Sequence, residues 1–300
     1  MNIPAPLKPG DRIEVVSPSS PILKEKTERA TSMLESEGYR VTWGKHVFDG
    51  IDYLAGTDAD RAADLMAAFQ NPDVNAVYCS RGGYGCARLF PYLDLDAMAA
   101  SRKMFLGFSD ITTLHLALNR RGLVTYHAPM MLSFSREREG WVTESFLAAL
   151  RGDNPVPECA PKGTYVVPGI AHGEVTGGCL CLLADSLATP DSLDTQGKLV
   201  LIEDVDENPH RIDAMLTHLI NTGHAERAAG FIVGEMTGTD EREDASIGGR
   251  PWREIVRERL GPLGKPLVID FPFGHCSNML TLPLGLVATL NADQGTLHYE

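Results

Sequence analysis

A serine lies at the point where an apolar run meets a helical pattern. The segment 102–118, RKMFLGFSDITTLHLAL, places Ser109 directly after a predicted strand. At such a turn the amide of the next residue and the helix N-terminus point to any oxygen beside the hydroxyl, which favours attack on a carbonyl. Ile111 stands where the elbow motif G-x-S-x-G has its second glycine. A helix N-cap formed by Ser109 or Asp110 is therefore the alternative.

Two more candidate groups follow apolar runs in the second half of the chain. Glu203 ends the run LVLI at 199–202, and His275 follows the run 266–270 in a loop that contains glycine and proline. Nucleophilic catalysis needs a hydroxyl, a base within hydrogen-bond reach and an acid that orients the base. Cys276 is an alternative nucleophile, but side chains of adjacent residues seldom face each other, which disfavours a pair with His275.

A glycine-rich turn, RGGYG at 81–85, lies between a predicted strand and a predicted helix. Glycines there allow positive φ angles and a close approach of the backbone to a ligand. The turn lacks the Lys-Ser/Thr pair of a P-loop and the spacing of a dinucleotide fingerprint. An oxyanion-binding turn, a phosphate cradle and a simple connection all remain open at this point.

Neither of two possible metal sites is favoured by the spacing. The first is an acidic stretch without the H-E-x-x-H pattern and with a proline inside it, which favours a solvated turn before a helix. Its candidate ligands are Asp206, Glu207, His210 and Asp213. In the second, Cys179 and Cys181 alternate along a predicted strand and are expected to face opposite sides. We predict no metal and no cofactor.

Composition limits the classes of partner. The chain has 300 residues, 40 acidic and 27 basic, with a formal net charge of −13. This charge disfavours nucleic acid and anionic membranes as partners. The sequence has no apolar run of about 18 residues and no pattern of a secretory signal at its start. Six cysteines in a chain of this length are expected to be reduced thiols, so we predict a cytoplasmic protein.

The order of predicted elements indicates α/β architecture. In the first half, strands at 12–17, 39–44, 75–80 and 123–126 and the serine strand alternate with helices at 24–37 and 58–70, the latter capped by Asp58. Such alternation predicts a parallel sheet with helices on both faces. The second half is predicted to contain strands at 171–176, 198–203, 230–234, 266–270 and 286–291 and helices at 212–222 and 252–260. This pattern predicts a smaller mixed sheet. We place an N-terminal domain at 1–150, a linker at 151–170 and a C-terminal domain at 171–300.

Taken in order, several motifs resemble the LD-carboxypeptidase family of serine peptidases over nearly the whole chain. They are GDRIEVVSPSSP at 10–21, SRGGYG at 80–85, GFSDITTLH at 107–115, HAPM at 127–130, GEVTGGCLCLL at 173–183, LIEDVDENPHRID at 201–213 and FPFGHCSNMLTLPLG at 271–285. The resemblance implies a flavodoxin-like N-terminal domain and a β-rich C-terminal α/β domain of the swivelling β/β/α type.

The resemblance also implies roles for individual residues. Ser109 would be the nucleophile, His275 the general base and Glu203 the carboxylate that orients the imidazole. The amides of Asp110 and Gly83 would form the oxyanion hole. Arg81 and Gly82 are candidates for substrate contacts. The site would lie between the two domains.

The implied activity is hydrolysis of the amide bond before the C-terminal D-Ala of murein stem tetrapeptides, in peptidoglycan recycling. Two alternatives remain. One is a peptidase of the same fold that cleaves peptidyl-nucleotide antibiotics of the microcin C type, and the other is a non-catalytic α/β protein whose glycine loop holds an anion. The expected partner is a small peptide, with no nucleic acid and no membrane. The family often forms homodimers, and the sequence leaves the oligomeric state open.

Overall fold

The structure is a computed structural model that describes residues 1–242, 246 and 249–300. The chain divides into two compact units. The N-unit comprises Met1–Pro157 and Leu280–Gly285, and the C-unit comprises Glu158–Met279 and Leu286–Glu300. Each unit is built around its own sheet.

Helices and strands alternate through the first half, whereas the second half also has consecutive strands and two consecutive helices. The first half contains β1 (Arg12–Val16), α1 (Glu28–Ser36), β2 (Arg40–Trp43), α2 (Asp58–Gln70), β3 (Ala76–Cys79), α3 (Leu95–Ala100), β4 (Met104–Gly107), α4 (Thr112–Arg120), β5 (Thr125–His127) and α5 (Gly140–Arg151). The second half contains β6 (Thr164–Val167), β7 (Ile170–Cys179), α6 (Leu180–Ser186), β8 (Leu199–Val205), α7 (Pro209–Asn221), α8 (His224–Arg227), β9 (Gly230–Thr237), α9 (Trp252–Leu260), β10 (Leu267–Ile269), β11 (Leu282–Leu284), β12 (Val287–Asn291) and β13 (Thr296–Tyr299).

The sheet of the N-unit has the strand order β11-β5-β4-β3-β1-β2 among the described residues. All neighbours are parallel except β11, which pairs antiparallel with β5. The parallel part has the order 2-1-3-4-5 of flavodoxin-like folds, and it confirms the predicted architecture of this half. Strands β3 and β4 are buried along their whole length, as expected for a sheet covered on both faces. Ligands of such folds bind at the carboxyl ends of the strands, where the order reverses.

The sheet of the C-unit has the order β13-β12-β7-β8-β9-β10-β6. The four strands β7 to β10 are parallel, and β6, β12 and β13 are antiparallel to their neighbours. Mixed α/β architecture is therefore confirmed. The expectation of a smaller sheet is wrong, because the described residues supply seven strands here and six in the N-unit.

Several local predictions differ from the structure at element ends. The N-cap of α2 is Thr57, whose hydroxyl accepts from the Asp60 amide, so the prediction of Asp58 as the cap is wrong by one residue. Helix α7 begins at Pro209, because proline suits the first turn, where its missing N–H has no intrahelical partner. The helix expected after the glycine-rich turn is a 3-10 helix, Cys86–Tyr92.

Two further features bear on the predicted organisation. Strand β6 lies inside the segment 151–170, and residues Leu280–Gly285 rejoin the N-unit although their neighbours in sequence belong to the C-unit. Within the described residues, no helix has both the length and the hydropathy that crossing a bilayer would require.

Candidate active site

Ser109 has a backbone conformation that residues other than glycine rarely adopt. It opens a 3-10 turn, Ser109–Ile111, immediately after β4, and its φ is +65°. Strain of this kind costs about 1–3 kcal/mol and is concentrated at functional positions. A Cβ at Gly107 would lie 2.9 Å from the Ile111 side chain and 3.1 Å from the Cys79 Cβ. Ile111 thus packs on Gly107, which gives a steric reason for glycine at position 107.

The glycine-rich turn packs directly against this serine. A Cβ at Gly82 would lie 2.6 Å from the Ser109 Cβ, 2.8 Å from its Oγ and 3.4 Å from the amide nitrogen of Asp110. Gly83 has φ +121°, and a Cβ there would lie 2.7 Å from the Ser20 Cβ. Only glycine fits at either position, so the backbone of the turn reaches the hydroxyl without an intervening side chain.

The carboxylate of Asp110 joins the serine turn to two other loops. Its Oδ2 accepts from the Ser19 hydroxyl at 2.6 Å and from the Cys86 amide at 2.9 Å. The side chain is buried, and hydrogen bonds to a buried carboxylate are strong. Asp110 therefore fixes the end of the glycine-rich turn beside Ser109, and neither Ser109 nor Asp110 caps the 3-10 turn, whose N-cap is Phe108.

A buried arginine holds the other side of the same loops. Arg61 is 2% exposed and donates to the carbonyl oxygens of Pro18 and, at 3.1 Å, Gly85, while it pairs with Asp58. No local pattern in the sequence indicates a role for Arg61 or Ser19. In the sequence, Arg61 is indistinguishable from any charged residue on a helix. Its role is set by contacts with residues that are distant in sequence.

Arg81 is anchored at one nitrogen. Its Nη1 donates to the Pro21 carbonyl at 3.2 Å. Its Nε is buried and has no hydrogen-bond partner among the described residues. A buried guanidinium N–H that donates to no group in the described part of the chain is suited to bind an anionic ligand such as a carboxylate.

In the C-unit, Glu203 and His275 form a close pair. Oε2 of Glu203 accepts from His275 Nδ1 at 2.7 Å and from the His275 main-chain amide at 3.1 Å. The Glu203 side chain is fully buried, and the His275 side chain is 16% exposed. A carboxylate bound to Nδ1 holds the ring in one orientation and leaves Nε2 as the second nitrogen, which is the arrangement of a general base and its orienting acid.

Two backbone irregularities make this pair possible. The pairing of β8 with β9 shifts register between Ile202 and Asp204, so Glu203 lies at a bulge inside β8 rather than at the strand end that the sequence suggested. Gly274 has φ +94°, and a Cβ there would lie 2.6 Å from the Cβ and from Oε2 of Glu203. Glycine at 274 therefore lets the loop approach the carboxylate.

The charges around the imidazole set its protonation. Burial lowers the pKa of His275, but the charge and hydrogen bond of Glu203, followed by the charges of Asp204 and Asp206, raise it above the ordinary value. Burial, followed by the charge of Glu203, raises the pKa of Asp204 to about 6. Among these carboxylates, Glu203 raises the pKa of the imidazole most, first through its charge and then through its hydrogen bond.

Cys276 is poorly suited to be a nucleophile. Burial, followed by the charges of Glu203 and Glu235, raises the pKa of its thiol to about 12. Its Sγ lies 2.9 Å from the Asn278 carbonyl oxygen. Since the thiolate is the reactive form, the protonated thiol disfavours covalent chemistry at this position.

The acidic stretch after β8 forms ion pairs instead of a ligand set. Asp206 pairs with Arg242 at 2.9 Å, and Asp213 pairs with Arg259 at 2.8 Å. The residues described by the structure do contain one group with metal-ligand geometry, but it is formed by Cys179, Cys181 and Asp204.

The prediction that the two cysteines face opposite sides is wrong. Strand β7 ends at Cys179 and α6 begins at Leu180, so Cys181 lies on a helical turn. The two Sγ atoms are 3.4 Å apart. The Cys181 amide donates to Asp204 Oδ2 at 2.8 Å, a contact between segments distant in sequence that no local pattern indicates.

Comparison with known proteins gives two consecutive family matches. Residues 13–128 match the LD-carboxypeptidase N-terminal domain, and residues 172–290 match the LD-carboxypeptidase C-terminal domain. A Streptomyces coelicolor protein classed as a carboxypeptidase is 43% identical over 98% of this chain and 94% of its own length. The murein tetrapeptide carboxypeptidase of Pseudomonas aeruginosa is 31% identical over 94% of each chain.

Structural similarity extends over the full length as well. The crystal structure of the muramoyltetrapeptide carboxypeptidase from Oxalobacter formigenes matches with a TM-score of 0.83 and 28% identity, covering 96% of this chain and 97% of the other. The microcin C7 self-immunity protein of Escherichia coli is a more distant relative, 27% identical over 96% of this chain and 93% of its own.

Proposed function

Since the chain belongs to the LD-carboxypeptidase family of serine-type hydrolases, we propose that it removes the C-terminal D-Ala from murein stem tetrapeptides with a Ser109–His275–Glu203 triad. The observation that carries the proposal is the buried pair of Glu203 and His275, joined at 2.7 Å through Nδ1. The strained serine turn in the N-unit supports it.

In the proposed mechanism, His275 Nε2 takes the proton of the Ser109 hydroxyl as Oγ attacks the carbonyl carbon before D-Ala. The imidazolium then gives this proton to the leaving amine, the C–N bond breaks, and an acyl-serine ester forms. Water, deprotonated by the same imidazole, hydrolyses the ester and restores the hydroxyl. Glu203 stabilises the imidazolium in both steps without taking a proton.

The oxyanion of each tetrahedral intermediate would accept hydrogen bonds from the amides of Asp110 and Gly83. The absence of side chains at Gly82 and Gly83 supports this role, because the turn meets Ser109 with its backbone. Preorganised donors of this kind contribute about 10²–10³-fold to kcat each. Arg81, with a buried Nε that has no partner in the described residues, would bind the terminal carboxylate of the substrate.

Named relatives support murein peptides as the substrate class. Two of the similar proteins reported above are named for murein tetrapeptide or muramoyltetrapeptide cleavage. Similarity to the microcin C7 self-immunity protein supports peptidyl-nucleotide cleavage as the second candidate function.

The test is release of D-Ala from L-Ala-γ-D-Glu-meso-diaminopimelate-D-Ala, followed by mass spectrometry. Ser109→Ala is expected to lower kcat on the order of 10⁶-fold, as in serine triads. It should also abolish labelling by a fluorophosphonate. Ser36→Ala, on an exposed helix surface, is the matched control and should retain both properties.

Three results would contradict parts of the proposal. Equal D-Ala release by wild type and Ser109→Ala would remove Ser109 as the nucleophile. Labelling of Ser109 with cleavage of an acyl-sulfamoyl nucleotide, but not of tetrapeptide, would favour the antibiotic substrate. No labelling at all would favour an anion-binding protein.

A further inference from the structure

The carboxyl end of β7 carries a group of side chains that the proposed peptidase mechanism does not use. Cys179 ends β7 and is the register partner of Glu203 in β8. Cys181 is the second residue of α6, and Asp204 follows Glu203 in β8. All three belong to the C-unit, and one ligand atom from each lies within 4.8 Å of the other two.

We propose that Cys179, Cys181 and Asp204 form a binding site for one thiophilic divalent cation, of the class of Zn²⁺ and Cd²⁺. The proposal rests on the geometry of two thiols and a carboxylate oxygen at one strand end. It is independent of the peptidase activity.

The distance from Cys179 Sγ to Asp204 Oδ1 matches a tetrahedral metal site, and the distance between the two Sγ atoms is about 0.4 Å shorter than in such a site. Ligand bonds of about 2.3 Å to sulfur and about 2.0 Å to oxygen imply separations of about 3.8 Å between two sulfurs and about 3.5 Å between sulfur and oxygen. The Sγ atoms of Cys179 and Cys181 are 3.4 Å apart. Cys179 Sγ lies 3.5 Å from Asp204 Oδ1. Small side-chain rotations would therefore place all three atoms around one ion.

The carboxylate is held in place by groups that would not bind the ion. Oδ2 of Asp204 accepts from the Cys181 amide at 2.8 Å, and Oδ1 accepts from the Val205 amide at 2.8 Å. Hydrogen bonds from outside the ligand set orient the ligands and are part of how metal sites in proteins are built. The hydrogen bond from the Cys181 amide to Asp204 Oδ2 also fixes the backbone of Cys181 next to Asp204.

The chemistry of the ligands selects the cation. Thiolates prefer Zn²⁺, Cd²⁺ and other soft or borderline ions, whereas Mg²⁺ and Ca²⁺ prefer sites made of oxygen atoms alone. Binding would replace the proton of each thiol by the metal. One cation, two thiols and one carboxylate would give the complex and two released protons, with a water molecule as the fourth ligand. Cys181 is only partly buried, which gives an entry path from solvent.

Titration of the reduced, chelator-treated protein with Cd²⁺ tests the site. We expect one equivalent to bind, with sulfur-to-cadmium charge-transfer absorbance, two released protons and a raised midpoint of thermal unfolding. Excess Mg²⁺ should displace none of the bound Cd²⁺. Cys181→Ser and Cys179→Ser should each weaken binding at least tenfold, and Cys159→Ser, at an exposed cysteine, should change it less than twofold.

Substitution of Cys276 shows whether the cation binds at the proposed site or at another cysteine. If Cys276→Ser abolishes the charge-transfer band while Cys179→Ser and Cys181→Ser retain it, the cation binds elsewhere and the proposal is wrong. Absence of the band in reduced wild type overturns it as well. The Cd²⁺ titration of Ser109→Ala separates the two proposals, because this variant should bind the ion as wild type does even though it is inactive.

Discussion

Replacing Glu203 by glutamine tests the pair that carries the proposed mechanism. The substitution keeps the size of a fully buried side chain and removes its charge. Oε2 of Glu203 accepts two hydrogen bonds, from Nδ1 and from the main-chain amide of His275. We expect kcat to fall between 10² and 10⁴-fold, with a correctly folded protein.

The lower bound follows from the two hydrogen bonds. A bond to a charged group contributes about 1.5–3 kcal/mol, roughly twice a neutral one, so the neutral amide loses about 2–3 kcal/mol over both. At 1.36 kcal/mol per factor of ten, this is about 10²-fold. The upper bound comes from the tautomer. If the amide NH₂ donates to Nδ1, the proton moves to Nε2, and the corresponding change in serine proteases lowers kcat about 10⁴-fold.

The pH dependence separates this role from a merely structural one. The imidazole acts as a base only when neutral, so activity rises with pH through the pKa of His275. In the wild type, Glu203 contributes to raising this pKa above its ordinary value. In Glu203→Gln, the acid limb of the profile of D-Ala release should therefore move to lower pH, because the charge that favours the imidazolium is gone.

The matched control is Glu207→Gln, at a partly exposed carboxylate 3.7 Å from Arg211. It should leave kcat and the acid limb within twofold and a few tenths of a pH unit of wild type. A loss of less than tenfold in Glu203→Gln, together with an unmoved acid limb, would refute the assignment of Glu203 as the orienting carboxylate.

Two more substitutions test the surroundings of the proposed nucleophile and base. Gly82→Ala should lower kcat at least tenfold, because the added Cβ would lie 2.6 Å from the Ser109 Cβ and must displace the serine turn; wild-type D-Ala release by a folded variant would show that the turn can move aside. Cys276→Ser should retain kcat within about twofold, because a thiol with a pKa of about 12 is protonated at neutral pH; a loss as large as that of Ser109→Ala would make the thiol a participant.

Much of the fold could be predicted from the sequence because the hydrophobic pattern is local. The runs around β1, β3, β4 and β8 are short, apolar and followed by turn residues. Alternation with amphipathic helices then implies parallel strands, which the sheet of the N-unit confirms. Periodicity is determined within a few residues, so it needs no knowledge of the rest of the chain.

Strand β11 could not be predicted in the same way. Its three residues pair with β5, more than 150 residues earlier, and they join the sheet of the N-unit from within the sequence of the second half. A short apolar run with a proline at its centre gives no indication of its partner. The pairing depends on the position of an edge that exists only after the N-unit has folded.

The sequence by itself determined strands β1 to β5 and placed Ser109, Glu203 and His275 beside apolar strands, because residue type and periodicity are local properties of the sequence. Only the tertiary structure decided that Glu203 sits at a bulge and accepts two bonds from His275. It also decided that the chain turns from strand to helix between Cys179 and Cys181, where the Cys181 amide binds Asp204. Both outcomes depend on hydrogen bonds between residues at least 20 positions apart, and the free energy of such contacts is absent from any local pattern.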